Sequence, residues 1–410
     1  TTPTDYNKTS GAAYQAPRFD YSADGYGNSK GLLIEEARTN LQANSNQWLV
    51  ATHAINNFNA ITNNFAISPS GARDAWRGEC YDTGGAARHE FYTRFNQADA
   101  TQYTQSIYIK PFGLVTHLRG SEAGATSRGA AYDLINCQVI TNGGMGNQGA
   151  TIEDVGNGWR RVSFTYTSTY ANTDNYIYWS VGDAASDTFG NSVHANFNPG
   201  KGSGIYCWGV QQEAGGFLSS LINTLGSTAT RSADVVRVDG TNFNRFFKDT
   251  EGTTVVDIQL PKGHEASYSR IFNFSDSSFS DELEMWIAGT SNKAYGKIVS
   301  NNSSQGDFKA SDVLINSGEI AKLGQTYKTD IHTVYQDGVK GEEDNSVNLP
   351  LGLNKLTLGA RFNNTSQLGG WIRRLRYFNK KKSDAQVQKL TDTSFLLDKY
   401  KGAKAAHSLR

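Results

Sequence analysis

The chain has 410 residues, with 39 Lys and Arg against 39 Asp and Glu, so its formal net charge is zero. That length suggests two domains of about 150–200 residues, and the balanced charge excludes the cationic surplus with which a nucleic-acid binder displaces phosphate counterions. No apolar run approaches the ~18–20 residues that span a bilayer, while 11% aromatics and 42 Gly against 7 Pro describe short β-strands joined by tight turns.

Residues 1–44 read as an N-terminal arm. Residues 1–30 are rich in Tyr, Asp, Gly, Asn and Ser and carry no sustained period, so any order there must come from docking elsewhere. The segment 31–41 fits a short helix or a strand, and periodicity does not decide between them. A first block of strands fills 45–240. Ile107 and Ile109 alternate with Ser106, Tyr108 and Lys110 until Pro111 ends the run. Val162, Phe164 and Tyr166 point inward, with Arg161, Ser163, Thr165 and Thr167 outward. Just before that strand, Asn157-Gly158 offers the positive φ angles of a tight hairpin. Tyr176–Val181 and Ile205–Val210 are nearly continuous apolar runs, as expected of strands covered on both faces.

The pattern restarts after residue 240 and a second block runs over 241–392. Val256, Ile258 and Leu260 alternate with Asp257 and Gln259, and Leu283, Met285 and Ile287 alternate with Glu284 and Trp286. Asp337-Gly338 marks a second hairpin. Only near the end does a convincing helix arise: Ser383 and Gln386 form a capping box, and Val387 with Leu390 gives one apolar face. Residues 393–410 form a basic tail. Short strands with regular turn signals and almost no helix predict an all-β chain of two tandem β-sandwiches. Cys80, Cys137 and Cys207 are widely spaced, lack a CxxC partner, and read as small hydrophobes of a protein folded in a reducing compartment.

Four stretches, in order across residues 17–235, resemble virion surface proteins of tailed bacteriophages. They are Pro17-Arg18-Phe19-Asp20 with the segment 31–41; Tyr103-Thr104-Gln105-Ser106-Ile107-Tyr108-Ile109-Lys110; Gly156-Asn157-Gly158-Trp159-Arg160-Arg161-Val162; and Tyr206-Cys207-Trp208-Gly209-Val210-Gln211-Gln212-Glu213-Ala214-Gly215 with Thr228-Ala229-Thr230-Arg231-Ser232-Ala233-Asp234. In that family the region is a jelly roll similar to carbohydrate-binding modules. The second block resembles concanavalin-A-like or laminin-G-like jelly rolls, through Thr333-Val334-Tyr335-Gln336-Asp337-Gly338-Val339, Leu356-Thr357-Leu358-Gly359 and Gly370-Trp371-Ile372-Arg373-Arg374-Leu375-Arg376-Tyr377-Phe378-Asn379.

The resemblance implies two tandem jelly-roll β-sandwich domains with an extended N-terminal arm and a short C-terminal helix and tail. It implies a non-enzymatic tail-fibre, tail-spike or head-fibre protein, assembled in the host cytoplasm and displayed on the virion surface. Its partners would be a host cell-surface glycan and other virion proteins, in a homo-oligomer with a trimer favoured, without nucleic acid or membrane insertion. No cofactor is implied beyond a structural Ca²⁺, which carbohydrate-module jelly rolls often hold and for which Glu35, Glu36 or Glu213 would supply oxygen ligands. A virion decoration or joining protein without sugar binding, and a polysaccharide depolymerase, are the alternatives.

Sugar recognition needs flat aromatic faces flanked by groups that bond hydroxyls. The expected glycan-contacting residues are Trp76, Tyr81, Tyr92 and Arg94 in the early strands, then Tyr178 and Trp179 beside Tyr176. Trp76 heads the set because Arg73-Asp74-Ala75-Trp76-Arg77 surrounds it with charge. Core packing is the competing reading for any large aromatic, and it is the one adopted for Trp159, Trp208 and Trp371. Glu282 and Glu284 share a strand face, but the E-x-D-x-E pattern of concanavalin-A-like glucanases breaks at Glu284 and Trp286. They therefore read as acids on a half-solvated strand rather than a catalytic pair. Gly144-Met145-Gly146-Asn147-Gln148-Gly149 matches G-x-G-x-x-G yet leads into a hairpin, so it reads as a loop. The seven His show no metal-ligand spacing, and Lys380-Lys381-Lys382 reads as a solvated loop.

Overall fold

The computed structural model describes residues 17–21, 29–49, 53–59, 61–122, 128–140, 149–183, 196–199, 202–261, 264, 268–289 and 291–394. The glycine-rich stretch up to residue 148, most of the first 28 residues and the tail from 395 onward lie outside them. The described chain is almost wholly β, in antiparallel sheets that form two tandem sandwiches. No helix of the described residues is long and apolar enough to cross a membrane.

In the first sandwich, one six-stranded sheet runs in the order Gln138–Ile140, Gly129–Asp133, His117–Glu122, Asn172–Gly182, Glu90–Gln97, His53–Asn56. The facing six-stranded sheet runs Thr151–Gly156, Trp159–Thr167, Gln102–Phe112, Gly204–Ala214, Ala75–Glu79, Thr62–Ala66. Val162, Phe164 and Tyr166 enter the core between them, alongside Ile107, Ile109, Trp76 and Trp179. The hairpin forms as predicted, with φ of 54° at Asn157 and 79° at Gly158. The opposite face of the Trp159–Thr167 strand is not solvated, however. The segment 216–224 lies over it, so that Arg161 donates to Ser219 O (2.8 Å) and Leu221 packs with Tyr108, Trp159 and Trp208. Arg161, Ser163 and Thr165 are accordingly buried, although alternation placed them outward.

The second sandwich pairs a six-stranded sheet (Val236–Asp239, Lys355–Leu358, Ser269–Ser275, Glu282–Ile287, Ala294–Ser300, Ser303–Lys309) with a seven-stranded one. The latter runs Phe19–Tyr21, Ser29–Ile34, Gly370–Phe378, Glu251–Gln259, Ile320–Lys328, Ile331–Gln336, Val339–Asp344. Asp337 and Gly338 take φ of 49° and 84°, the second predicted hairpin. The helix Asp384–Thr391 carries both reciprocal bonds of the capping box at Ser383 and Gln386, and Val387 packs on Val255 and Tyr335. A one-turn helix at Gly240–Asn244, which no periodicity announced, buries Phe243.

The described part of the arm does not reach outward. Ser29–Ile34 is a strand that pairs with Gly370–Phe378, and Leu32 and Ile34 enter the second core. Gly31 makes the pairing possible: at φ +104° a side chain would be strained, and a Cβ there would lie 2.4 Å from the Ile372 carbonyl oxygen. Arg38–Asn40 pairs instead with Ala229–Arg231. Between these ladders lies a buried ionic knot. Glu35 accepts from Arg18 Nη1 (2.7 Å) and from the Ser220 backbone N–H (2.7 Å), and Arg231 approaches it at 3.2 Å. Arg18 also donates to Asp234. Burial alone would push the Glu35 carboxyl up, but the Arg231 and Arg18 guanidiniums outweigh it and hold the pKa down at about 2.

Trp371, read as core, sits instead half-buried where the arm crosses the second sandwich, donating from Nε1 to Asp20 (2.9 Å) beneath the Lys30 ammonium.

Candidate functional site

Among the described residues, sheet faces of both sandwiches carry aromatic rings outside the cores. On the first sandwich, Phe65, Tyr206 and Phe112 flank Arg77 on one sheet, and a second group belongs to the Asn172–Gly182 and Glu90–Gln97 strands of the other. Their register sets Tyr178 opposite Tyr92 and Tyr176 opposite Arg94. The rings of Tyr92 and Tyr178 meet edge-on at 4.7 Å, and the Arg94 guanidinium lies over Tyr176 at 5.2 Å. Tyr92 donates to Glu90 (3.3 Å), whose carboxylate also accepts from Ser180 Oγ (2.9 Å). Burial, followed by the Glu90 charge, raises the pKa of both tyrosines, so each hydroxyl remains a donor.

Three of the six expected residues, Tyr92, Arg94 and Tyr178, thus come together. Trp76 and Trp179 do not join them. Trp76 is 1% exposed, packed against Trp48 (5.1 Å) and Phe91 (5.3 Å), and Trp179 lies in the same core against Phe164. Successive strand side chains point to opposite faces, so the charges flanking Trp76 describe the face it turns away from. Tyr81 is 54% exposed beyond the end of the Ala75–Glu79 strand, and no ring contact among the described residues links it to the others.

The face on the second sandwich was not among the expected residues. Trp286, on the outer side of Glu282–Ile287, stands between Tyr268 (5.8 Å, 19° between planes) and Tyr295 (5.1 Å, 25°), with the Arg270 guanidinium 5.3 Å over the indole. Tyr268 is 56% exposed. The signal was present in the sequence: Leu283, Met285 and Ile287 all enter the core, which obliges Trp286 to face outward.

Glu282 and Glu284 share that face but are fully buried, not half-solvated. Arg270 clamps Glu284 with two bonds (2.9 and 3.2 Å), Arg361 clamps Glu282 likewise (3.1 and 2.7 Å), and Asn273 donates to both. Arginine pairing answers the desolvation of the two acids. Alternation could not show this, because Arg361 lies far along the chain.

The carboxylates considered for Ca²⁺ are engaged elsewhere. Glu35 is paired with arginines as described, Glu36 with Arg38 (2.5 Å), and Glu213 accepts from Ser219 and Gln211. Among the described residues no three His, Cys, Asp or Glu side chains converge as a metal site. Cys80 and Cys207 are buried free thiols, and Cys137 is only partly buried.

No family model matches the sequence, and no curated protein matches it. Solved structures that resemble part of the chain include the CBM40 module of the Ruminococcus gnavus IT-sialidase, at 10% identity and a TM-score of 0.30 over 35% of this chain and 83% of that one. Domain 4 of AbnA, an arabinanase from Geobacillus stearothermophilus, gives 12% identity and a TM-score of 0.31 over 39% and 82%. The NanB sialidase of Streptococcus pneumoniae gives 19% and 0.30 over 37% and 26%.

Proposed function

We propose that this chain is a phage virion surface protein, of tail-fibre or head-fibre type, that grips host-cell glycans without cleaving them. The observation that carries the grip is the outward row Tyr268–Trp286–Tyr295 with Arg270 over its centre. An indole with polar neighbours suits the mixed surface of a pyranose, whose C–H face packs on rings while its hydroxyls take hydrogen bonds. The virion setting is supported by the ordered resemblance across residues 17–235. The non-catalytic reading is supported by Glu282 and Glu284: a carboxylate held by a bidentate guanidinium is poorly placed to give or take a proton or to attack an anomeric carbon. Weak single-site affinity would be offset by many copies, a trimer being the favoured unit.

Glycan-array binding by the intact chain tests this. A saturable signal that weakens at least tenfold in Trp286→Ala, a difference of about 1.4 kcal/mol, is expected. No signal on surface glycans, or an unchanged one in the variant, would reject the reading, and release of reducing ends from a bound polysaccharide would replace it with depolymerisation. In the same array Trp76→Phe is expected to bind as the parent does, while losing about 1–2 kcal/mol of stability through the cavity it leaves. A binding defect in that variant with stability intact would move the site back to Trp76.

A further inference from the structure

On the first sandwich, the strand His117–Glu122 lies beside Asn172–Gly182 with Arg119 opposite Ser180 and Ser121 opposite Tyr178. Ser180 and Tyr178 in turn oppose Glu90 and Tyr92. Arg119 and Ser121 therefore share the outer face with the tyrosines, while Leu118 enters the core. The face grades from half-buried Tyr176 and Arg94, through half-buried Tyr178 and Tyr92, to a fully buried register of Arg119, Ser180 and Glu90.

Arg119 is 1% exposed, and Nε, Nη1 and Nη2 all lack a hydrogen-bond partner among the described residues, as does Ser121 Oγ. The adjacent Glu90 carboxylate attracts the guanidinium, but it is committed to Ser180 and Tyr92. Burial is the larger influence and lowers the Arg119 pKa to about 10, so the side chain is still a cation at neutral pH. Every other buried arginine among the described residues has an answer: Arg18 and Arg231 hold Glu35, Arg38 holds Glu36 and the Ala214 carbonyl, Arg270 holds Glu284, and Arg161 holds a carbonyl. A desolvated guanidinium with five unused donors is costly to keep, and such departures from local rules concentrate at functional sites.

We infer that Arg119 is the anion-recognising group of a second binding site on this face, one that takes a carboxylate-bearing saccharide. A carboxylate matches the planar donor fork two bonds at a time. Ser121 Oγ, likewise without a partner among the described residues, can bond a flanking hydroxyl, and the Tyr92 and Tyr178 rings stand one register away to meet the sugar's apolar face. The saccharide part rests on the glycan reading above. The anion part rests on Arg119 alone, and the site is separate from the Trp286 row.

The experiment uses the full chain and calorimetric or saturation-transfer titration with a panel of uronate- and sialate-bearing oligosaccharides. Each is run beside its methyl ester, and sodium sulfate is run as an inorganic anion. At least one acid should bind tenfold or more tightly than its ester, and Arg119→Met should abolish that difference. Because Arg119 holds no structural partner, Arg119→Met should melt at or above the parent temperature, and Trp286→Ala should leave the acid preference intact. Equal binding of acids and esters overturns the inference, as does an acid preference that survives Arg119→Met. A melting temperature several degrees lower in Arg119→Met overturns it too, since the guanidinium would then be a structural element. Arg119-dependent binding of sulfate without any acidic glycan overturns the saccharide part and leaves an inorganic-anion site. Loss of binding in Trp286→Ala on neutral glycans tests the other face and does not bear on this one.

Discussion

Replacing Arg18 with alanine is expected to destabilise the folded chain by about 3–5 kcal/mol, the cost of leaving a buried charge without its partner. Arg18 reaches Glu35, Ser220 and Asp234 at once, so its loss strands Glu35 with Arg231 and removes the cation facing Asp234. The same knot fixes backbone as well as charge. Leu33 N–H donates to the Arg18 carbonyl (2.8 Å), Glu35 N–H to Asp234 (2.8 Å), and Asp234 N–H to the Glu35 carbonyl (2.9 Å). Three segments far apart in sequence are thereby held at the junction of the two sandwiches. Denaturant unfolding of Arg18→Ala, Glu35→Ala and the double variant measures the coupling directly, and the double variant should lose clearly less than the sum of the singles. Arg18→Lys should recover only part of the loss, because an ammonium cannot reproduce the two-pronged contact with Asp234. Losses under about 1 kcal/mol, the range of exposed ion pairs, would show that the knot contributes nothing special.

The residues of that knot were visible in the sequence only as wording. Arg18, Glu35, Arg231 and Asp234 stand at four separate positions along the chain, and no local pattern ties residue 18 to residue 234. What was legible followed from short-range physics. Asn157-Gly158 and Asp337-Gly338 set hairpins because two consecutive positive φ angles are cheap there, and Ser383 with Gln386 caps a helix through bonds that span one turn. What failed was inference from a neighbour's character to a residue's own surroundings. The charges beside Trp76 suggested solvent, although neighbours on a strand point away from each other, and the same alternation read at Leu283, Met285 and Ile287 did place Trp286 outside. Outward also proved different from exposed. Thr165 lies under the segment 216–224, and Glu282 and Glu284 lie under arginines supplied from other strands and loops. Arg119 was illegible for the same reason: only the pairing of three strands reveals that its guanidinium has no hydrogen-bond partner among the described residues.

Mild acid should unfold this protein well before its carboxylates titrate. His53, His264 and His332 are all buried. Desolvation, in each case the largest influence, lowers their pKa values from 6.5 to about 4, about 4 and about 3. The Leu49 carbonyl at His53 and the Asp344 charge at His332 oppose this only in part, and both ring nitrogens of His332 lack hydrogen-bond partners among the described residues. Above pH 6.5 these rings are neutral whether the chain is folded or not, so they contribute no pH dependence. Between 6.5 and their folded values the unfolded chain binds protons that the folded chain refuses, so stability falls as pH falls. Each proton is worth up to about 1.4 kcal/mol per pH unit, which gives a loss on the order of 5 kcal/mol from pH 6.5 to 5 for the three rings together. That is comparable to the whole stability of many domains. Glu35 adds its share lower down, as pH drops from its ordinary 4.5 toward its folded value of about 2. Denaturant midpoints at pH 7.5, 6.5, 5.5 and 5.0 should therefore decline steeply over the last three and hardly at all over the first two. His332→Leu, which keeps the volume and removes the group that titrates, should cut the slope by about a third without a matching loss at pH 7.5. A midpoint that stays level down to pH 5 would mean these histidines take up protons in the folded state, which rings buried away from water would not do.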